Sequence, residues 1–290
     1  MRVLVTGAAG YLGGAVVPAL QAEGHRVRAL VRRTGDGPPH LRTVETATGD
    51  VVEGTGLDQA AAGSDAVVHL VGIIRESRGA TMEGVHVQGT RNTLQAAAHA
   101  GVTRFVHVSA VGADPYGPTD YLRTKGEAER LLAASGLACT VIRPTVVFGP
   151  GGPGSNLVAE LGGILRAAPL MPVFGDGRYL MQPVSARNVA AGCARALAVP
   201  ATAGRTYEAG GPERLAYEEV LRRIAAAMGR PFRPLHVPLG LIRPLLPTLQ
   251  RLPGFPLTVD QLTMLLAGSV CDAGPFFSDF GLTTDRFEGR

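Results

Sequence analysis

One stretch near the start of the chain constrains its fold more than any other. The apolar run Arg2 to Thr6 ends in Gly7, and glycine returns at Gly10 and Gly13 just before a helix-forming segment. A short apolar strand that turns through glycines into a helix is the opening unit of a parallel βαβ series. Gly7 permits the tight turn, Gly10 lets backbone N–H groups approach a diphosphate, and Gly13 lets the helix pack closely. The helix start also supplies unpaired donors and the positive end of its dipole. With 39 glycines among 290 residues, the spacing alone would be weak evidence. Its position between strand and helix makes it informative, and it marks Gly7, Ala9, Gly10, Tyr11, Leu12 and Gly13 as nucleotide contacts.

The rhythm continues to about residue 150. Strands are expected at 2–6, 26–31, 41–47, 66–71, 104–108 and 138–142, and helices at 11–22, 54–62, 81–100 and 120–134. Near-continuous apolar strands alternating with helices indicate buried parallel strands. The fold class is therefore α/β, a doubly wound parallel sheet of the Rossmann type, with a smaller C-terminal α+β lobe. The glycine- and proline-rich run 149–154 reads as a flexible junction. It divides a nucleotide-binding domain, 1–150, from a substrate or partner lobe, 151–290. Segments around 179–209 are expected to return to the main sheet, with a helix at 186–198 and a strand at 206–209. An amphipathic helix is expected at 217–228, and the Pro- and Leu-rich remainder has no clear period.

Composition narrows the function. Hydrophobic residues are 46% and charged residues 18%, a globular balance. The net charge of +4 is not gathered into basic runs interleaved with aromatics, which disfavours nucleic acid as a partner. A mild excess suits a polyanionic cofactor. Cys139, Cys193 and Cys271 are single and far apart, so neither a disulfide framework nor a metal site is expected. The strand at Arg2 leaves no room for a cleavable leader, and the most apolar tract, 237–259, is broken by five prolines and two arginines. A cytoplasmic protein, at most surface-associated, follows, as a monomer or homodimer.

Cofactor choice is read at the end of the second strand. NAD binders place a carboxylate there for the ribose 2′-hydroxyl, whereas this chain has Arg32 and Arg33. Two guanidinium groups suit a 2′-phosphate, so NADP(H) is preferred over NAD(H). Asp50 and Val51 follow the third strand, where Asp50 either accepts from the adenine amine or caps a turn. Val71 and Gly72 end the fourth strand, close to where the adenosine ribose would pass.

The candidate chemistry lies at the fifth strand. Ser109 directly follows it, and Tyr121 and Lys125 stand four apart on one helix face. Strand C-terminal ends are where such sheets hold ligands. An unperturbed phenol is a poor base near neutral pH, so a neighbouring ammonium and a positive nicotinamide are expected to lower its pKa. That assigns Tyr121 as acid/base, Lys125 as activator and Ser109 as orienter of the reacting oxygen. Tyr116 is a rival phenol, but it sits between Pro115 and Gly117 and lacks a lysine four residues on.

Together the motifs carry a resemblance. The glycine loop, His69 to Glu76, Gly89 to Asn92, Val108 to Ala113, Tyr121 to Lys125, Arg143 to Pro150, Gln182 to Val184 and Leu257 to Leu262 are similar to those of atypical, extended short-chain dehydrogenases/reductases. The likeness is greatest to the branch of the nucleotide-binding accessory subunit of respiratory complex I. It implies cofactor contacts from Lys125, Pro144 and Val146. Two positions depart from the active extended members: His86 stands where they carry Asn, and Asn188 where they carry Asp. His86 could serve as substitute, as proton relay or as structural residue.

Phe148 stands where sugar-nucleotide enzymes of the superfamily commonly show Tyr, and Met181 adds a second apolar group. With His86, these two are the candidate substrate contacts. The expected activity is an oxidoreductase acting on an apolar carbonyl or quinone-like substrate. Its alternatives are a non-catalytic NADPH-binding accessory or sensor protein, and a sugar-nucleotide epimerase or dehydratase.

Overall fold

The computed structural model describes residues 1–33, 37–77, 79–154, 156–167, 170–252, 255 and 257–290. In chain order the first half runs β1 (Arg2–Thr6), α1 (Gly13–Ala22), β2 (Arg26–Val31), β3 (Glu45–Thr48), α2 (Leu57–Ala61), β4 (Ala66–His69), α3 (Gly89–His99), β5 (Arg104–Val108), α4 (Asp120–Ala134) and β6 (Ala138–Pro144). The second half runs β7 (Val147–Phe148), α5 (Leu157–Ala167), β8 (Met171–Phe174), β9 (Leu180–Met181), β10 (Val184–Ser185), α6 (Ala186–Ala198), β11 (Thr206–Ala209), β12 (Leu215–Ala216), α7 (Tyr217–Ala227), β13 (Pro234–Val237), α8 (Leu239–Leu249), α9 (Val259–Ala267) and α10 (Gly274–Phe280).

Seven strands form one parallel sheet in the order β11-β6-β5-β4-β1-β2-β3. The order reverses between β1 and β4, so the loops leaving those two strands diverge and open a crevice at the strand C-termini. Alternate residues serve opposite faces. Val3, Val5, Val68, Val106, Val108 and Ile142 pack with Val16, Val17 and Leu20 of α1 and with Val189 and Cys193 of α6. Leu4, Val67, Phe105 and Val141 pack on the other face with Ala60 of α2, Leu94 and Ala97 of α3, and Leu132 of α4. The smaller lobe has its own core of Phe148, Met171, Val173, Met181, Val220, Leu221, Ile224 and Phe287.

Several boundaries differ from the expected ones. The third strand occupies 45–48 rather than 41–47, because Pro39–Leu41 forms a tight turn that buries Leu41 against α1. The helix expected at 81–100 opens with a π-helical turn, Glu83–Gln88, before α3. The first part of the 179–209 stretch does not reach the main sheet: Leu180 and Met181 pair antiparallel with Ala216 and Leu215. Within 179–209, β11 alone enters the main sheet, beside β6, while α6 packs on its face. Phe276 and Phe280 of α10 also enter that face, so the chain after residue 150 supplies both cores. The 149–154 run is packed rather than loose. Gly152 N–H donates to the Tyr11 carbonyl at 2.8 Å, and the Tyr11 hydroxyl donates to the Gly149 carbonyl at 2.9 Å.

Candidate active site

The glycine loop closes as its spacing demands. Gly7 has φ +74°, a conformation costly for any residue with a side chain, and a Cβ there would lie 3.0 Å from the Leu70 and Val71 backbone. A Cβ on Gly13 would overlap the Ala8 carbonyl, so α1 seats directly on the loop. α1 begins after Leu12 with no side chain capping its first turn, which leaves its opening N–H groups for an anion. His40 braces the loop from behind, its Nε2 lying 2.8 Å from the Ala8 carbonyl. This donor set, all backbone amide, fits a diphosphate.

Arg32 and Arg33 are exposed just past β2 and make no ion pair among the described residues, so both guanidinium groups can meet an added phosphate. Asp50 closes a local turn: its Oδ1 accepts from Val52 N at 2.7 Å and from Glu53 N at 3.3 Å. Val51 is buried, and Asn92 holds its carbonyl at 2.8 Å. Val71 and Gly72 leave β4 on the crevice side. A Cβ on Gly72 would lie 3.0 Å from Lys125 Nζ, so glycine is what lets this loop cross the lysine. Pro144 and Val146 flank the end of β6, tied by Val111 N to the Pro144 carbonyl (3.0 Å) and Val184 N to the Val146 carbonyl (2.9 Å).

Ser109, Tyr121 and Lys125 come from β5 and the helix that follows it. α4 starts at the Thr119 cap, whose hydroxyl accepts from Leu122 N at 3.3 Å, and this places Tyr121 in the first turn. Lys125 is 4% exposed, and its Nζ donates to the Val108 carbonyl at 3.1 Å. Burial lowers its pKa to about 8, opposed by the Glu129 carboxylate. Tyr121 departs from expectation. Burial pushes its phenol up to about 12. The Ser109 hydroxyl is buried with no partner among the described residues.

His86 has work other than touching a substrate. It is buried, and its Nε2 accepts from Ile73 N at 3.0 Å. The proton therefore sits on Nδ1 and is donated to Thr124 Oγ1 at 2.8 Å; that hydroxyl in turn donates to the Asp120 carbonyl at 2.8 Å. Burial, then the nearby Lys125 charge, lowers its pKa to about 2, so it stays neutral. With both ring nitrogens engaged, His86 positions the loop after β4 against α4, and its ring meets that of Tyr121 edge-on at 5.6 Å. Asn188 is likewise a tie: it donates to the Thr283 carbonyl at 2.8 Å and accepts from Asp285 N at 3.2 Å. Phe148 and Met181, expected at the substrate, are buried in the smaller core, where Phe148 packs edge-on against Phe287 at 5.0 Å.

Two features have no local motif. His69 and His107 stack at 5.4 Å on adjacent strands beneath Lys125. His69 is held by Thr6 (2.7 Å) and Thr90 (3.2 Å), and burial lowers its pKa to about 3. His107 has neither ring nitrogen bonded among the described residues, and burial holds its pKa well below the usual value. The second feature is a clasp over the crevice. Arg75 donates to the Phe255 carbonyl (3.0 Å) and to Gln261 Oε1 (2.9 Å), and Asp260 accepts from Asp120 N at 2.9 Å. The start of α9 thus sits next to Tyr121. Period-2 alternation signals the histidine pair only weakly, and nothing local signals contacts that span 140 to 186 positions.

Comparison with known proteins places the chain in a family. A family model described as NAD(P)H-binding matches residues 7–163. An NAD(P)H azoreductase of Xenophilus azovorans is 30% identical over 80% of this chain and 75% of its own length. A ceramide reductase of Caulobacter vibrioides is 33% identical over 60% of this chain and 54% of its own. The mitochondrial NADH dehydrogenase (ubiquinone) 1 alpha subcomplex subunit 9 of Arabidopsis thaliana is 30% identical over 72% and 53%. The chain thus spans about half the length of these last two. Among solved structures, UDP-glucuronic acid 4-epimerase of Bacillus cereus, in complex with UDP-glucuronic acid and NAD, superposes with a TM-score of 0.79. It is 17% identical and covers 100% of this chain and 96% of that one.

Proposed function

This chain belongs to the NAD(P)H-binding family with a Rossmann-type domain, and on that premise we propose that it is an NADPH-dependent reductase of an apolar, lipid-like carbonyl or quinone. The observation that carries the proposal is that Lys125, one helical turn after Tyr121, reaches the C-terminal end of β5 at Val108, next to Ser109, and lies across the crevice loop from Gly72. A bound dinucleotide would supply the hydride. Its diphosphate would lie on the amides of Tyr11, Leu12 and Gly13, and Arg32 and Arg33 would take a 2′-phosphate.

The raised phenol pKa favours the reducing direction. At neutral pH Tyr121 holds its proton and can give it to the carbonyl oxygen as the hydride reaches carbon. The Lys125 ammonium favours the phenolate left behind, and the unpartnered Ser109 hydroxyl is placed to orient the oxygen. Arg143, in β6, is paired with Glu129 (2.9 Å from Nε to Oε1), which argues against its serving as a free diphosphate anchor for a sugar nucleotide. The ceramide reductase relative supports a lipid-like substrate.

The test is oxidation of NADPH with a panel of long-chain ketones and quinones. Tyr121→Phe should lower turnover by about a hundredfold or more while NADPH affinity is kept. Equal turnover in that variant would refute the assignment. One observation favours a second reading, a cofactor-binding protein without turnover: Lys125 is engaged by Val108 rather than by Tyr121. NADPH binding with no oxidation across the panel would select it.

A further inference from the structure

We propose that α8 and the turn after it form a peripheral docking surface for an anionic lipid bilayer, set beside the mouth of the candidate active site. α8 has two apolar sides, and one has no partner among the described residues. Ile242 and Leu246 are buried against Leu262, and Leu239 and Leu249 pack on the same side. Leu241, Leu245 and Leu252 point away and are 58%, 49% and 55% exposed. The spacing of four residues aligns Leu241 and Leu245 on one outward stripe of α8, and Leu252 lies in the turn that follows. Leu235, on the adjacent β13, is 50% exposed as well.

Charge identifies what would cover this stripe. Between Arg230 and Val259 the chain holds four arginines and no acidic residue. The whole chain has 28 Lys and Arg against 24 Asp and Glu, so its entire net charge resides in these thirty residues and the remainder is neutral. Arg233, Arg243 and Arg251 are exposed and make no ion pair among the described residues. Elsewhere arginines pair freely with carboxylates, as Arg222 and Arg223 do on α7. Exposed leucines flanked by unpaired arginines match a surface that is apolar below and anionic at its rim. α8, with eleven residues, is too short to span a bilayer, and no described helix is long and apolar enough to cross one. The helix would lie in the interface plane.

The location gives the docking a use. Arg75 clasps Phe255 and Gln261 at the end of the α8–α9 connection, and Asp260 bonds the residue before Tyr121. A bilayer against α8 would bring the clasp, and the crevice under it, to the depth where lipid headgroups end. The use depends on the lipid-substrate reading; the docking itself rests on exposure and charge.

The experiment is cosedimentation of the full chain with vesicles of pure phosphatidylcholine and of phosphatidylcholine mixed with phosphatidylglycerol. The expected result is binding to the mixed vesicles only, weakened about tenfold by raising salt toward 0.5 M. Leu241→Ser with Leu245→Ser should lower binding about tenfold or more, and so should Arg243→Gln with Arg251→Gln, while NADPH affinity stays unchanged as the sign of an intact fold. No pelleting with mixed vesicles, equal pelleting with both kinds, or full binding by the leucine variant would overturn the proposal. So would a concentration-dependent dimer in light scattering that the leucine variant abolishes, because a second copy would then cover the stripe. Binding is read without turnover, so its failure leaves the reductase assignment standing, and the converse holds.

Discussion

The two faces of the parallel sheet are made from the same strands and do different work. On the side of α1 and α6, every inward residue of β4 and β5 except Arg104 is a small aliphatic: Ala66, Val68, Val106 and Val108. On the side of α3 and α4, the alternate positions begin apolar, with Val67 and Phe105, and end polar, with His69 and His107. The first face is a sealed core. The second is a core at its lower end and a polar chamber at its upper end, where Lys125 and His86 descend from the helices. One sheet can therefore anchor a fold and support chemistry, because a residue's face depends on its parity along the strand and its depth on its position.

Several measurements would break or sharpen that contrast, and the largest effect should come from the chemical end. Tyr121→Phe, described above, tests whether the chamber is catalytic at all. Next is the cofactor boundary. Replacing both Arg32 and Arg33 by Ala should weaken NADPH binding about tenfold to a hundredfold and leave NADH nearly unchanged in fluorescence titration. Equal losses for both cofactors would place the 2′-phosphate elsewhere.

The pH dependence separates the faces without mutation. Lys125 has its pKa lowered to about 8, so reductive turnover should fall as pH rises through that value, with NADPH affinity measured in parallel. Stability should respond at the acid end. His69 titrates near 3 and His86 near 2 in the fold, both below their unfolded value of about 6.5. Between those limits the unfolded chain binds more protons, so stability falls as pH drops below about 6.5. His107 shares the direction. Urea midpoints from pH 7 to 4 should show the decline, and His107→Leu should remove about one third of the slope that the three histidines contribute.

The smallest effect is the most discriminating. His107→Leu removes a buried imidazole with no described hydrogen bond and should raise stability by about 1 kcal/mol at pH 7. Val106→Ala, one residue away on the opposite face, should lower it by about 2 kcal/mol. If His107→Leu is instead destabilising, the imidazole has a bound partner, and the chamber is wetter than its described contacts indicate.

Much of this fold is legible in the sequence. β1, β2, β5, α4, α6 and β11 fall where apolar runs and glycine turns put them, because strand parity and helix caps are local properties. The glycine loop was legible for the same reason: its turn at Gly7 and the close seat of α1 at Gly13 are backbone geometry that only glycine allows. The environment of the phenol was not. Spacing puts Lys125 one turn from Tyr121, yet the lysine's nearest acceptor is Val108, seventeen positions back, and the phenol is raised rather than lowered. Phe148 reads as a substrate contact in isolation and becomes core once Phe287 arrives from the far end of the chain.

What the sequence determined alone was the order of strands and helices, the glycine turn between β1 and α1 and the cationic end of β2, each set by residues within one or two turns of one another. What the tertiary structure decided was the fate of side chains whose neighbours come from far along the chain: His86 as a neutral brace, Asn188 as a tie to the tail, His69 against His107, and Arg75 closing on α9. The physical reason is that backbone preference is encoded by adjacent residues. Protonation, burial and hydrogen-bond partnership are properties of whatever packing delivers to the same few cubic ångströms.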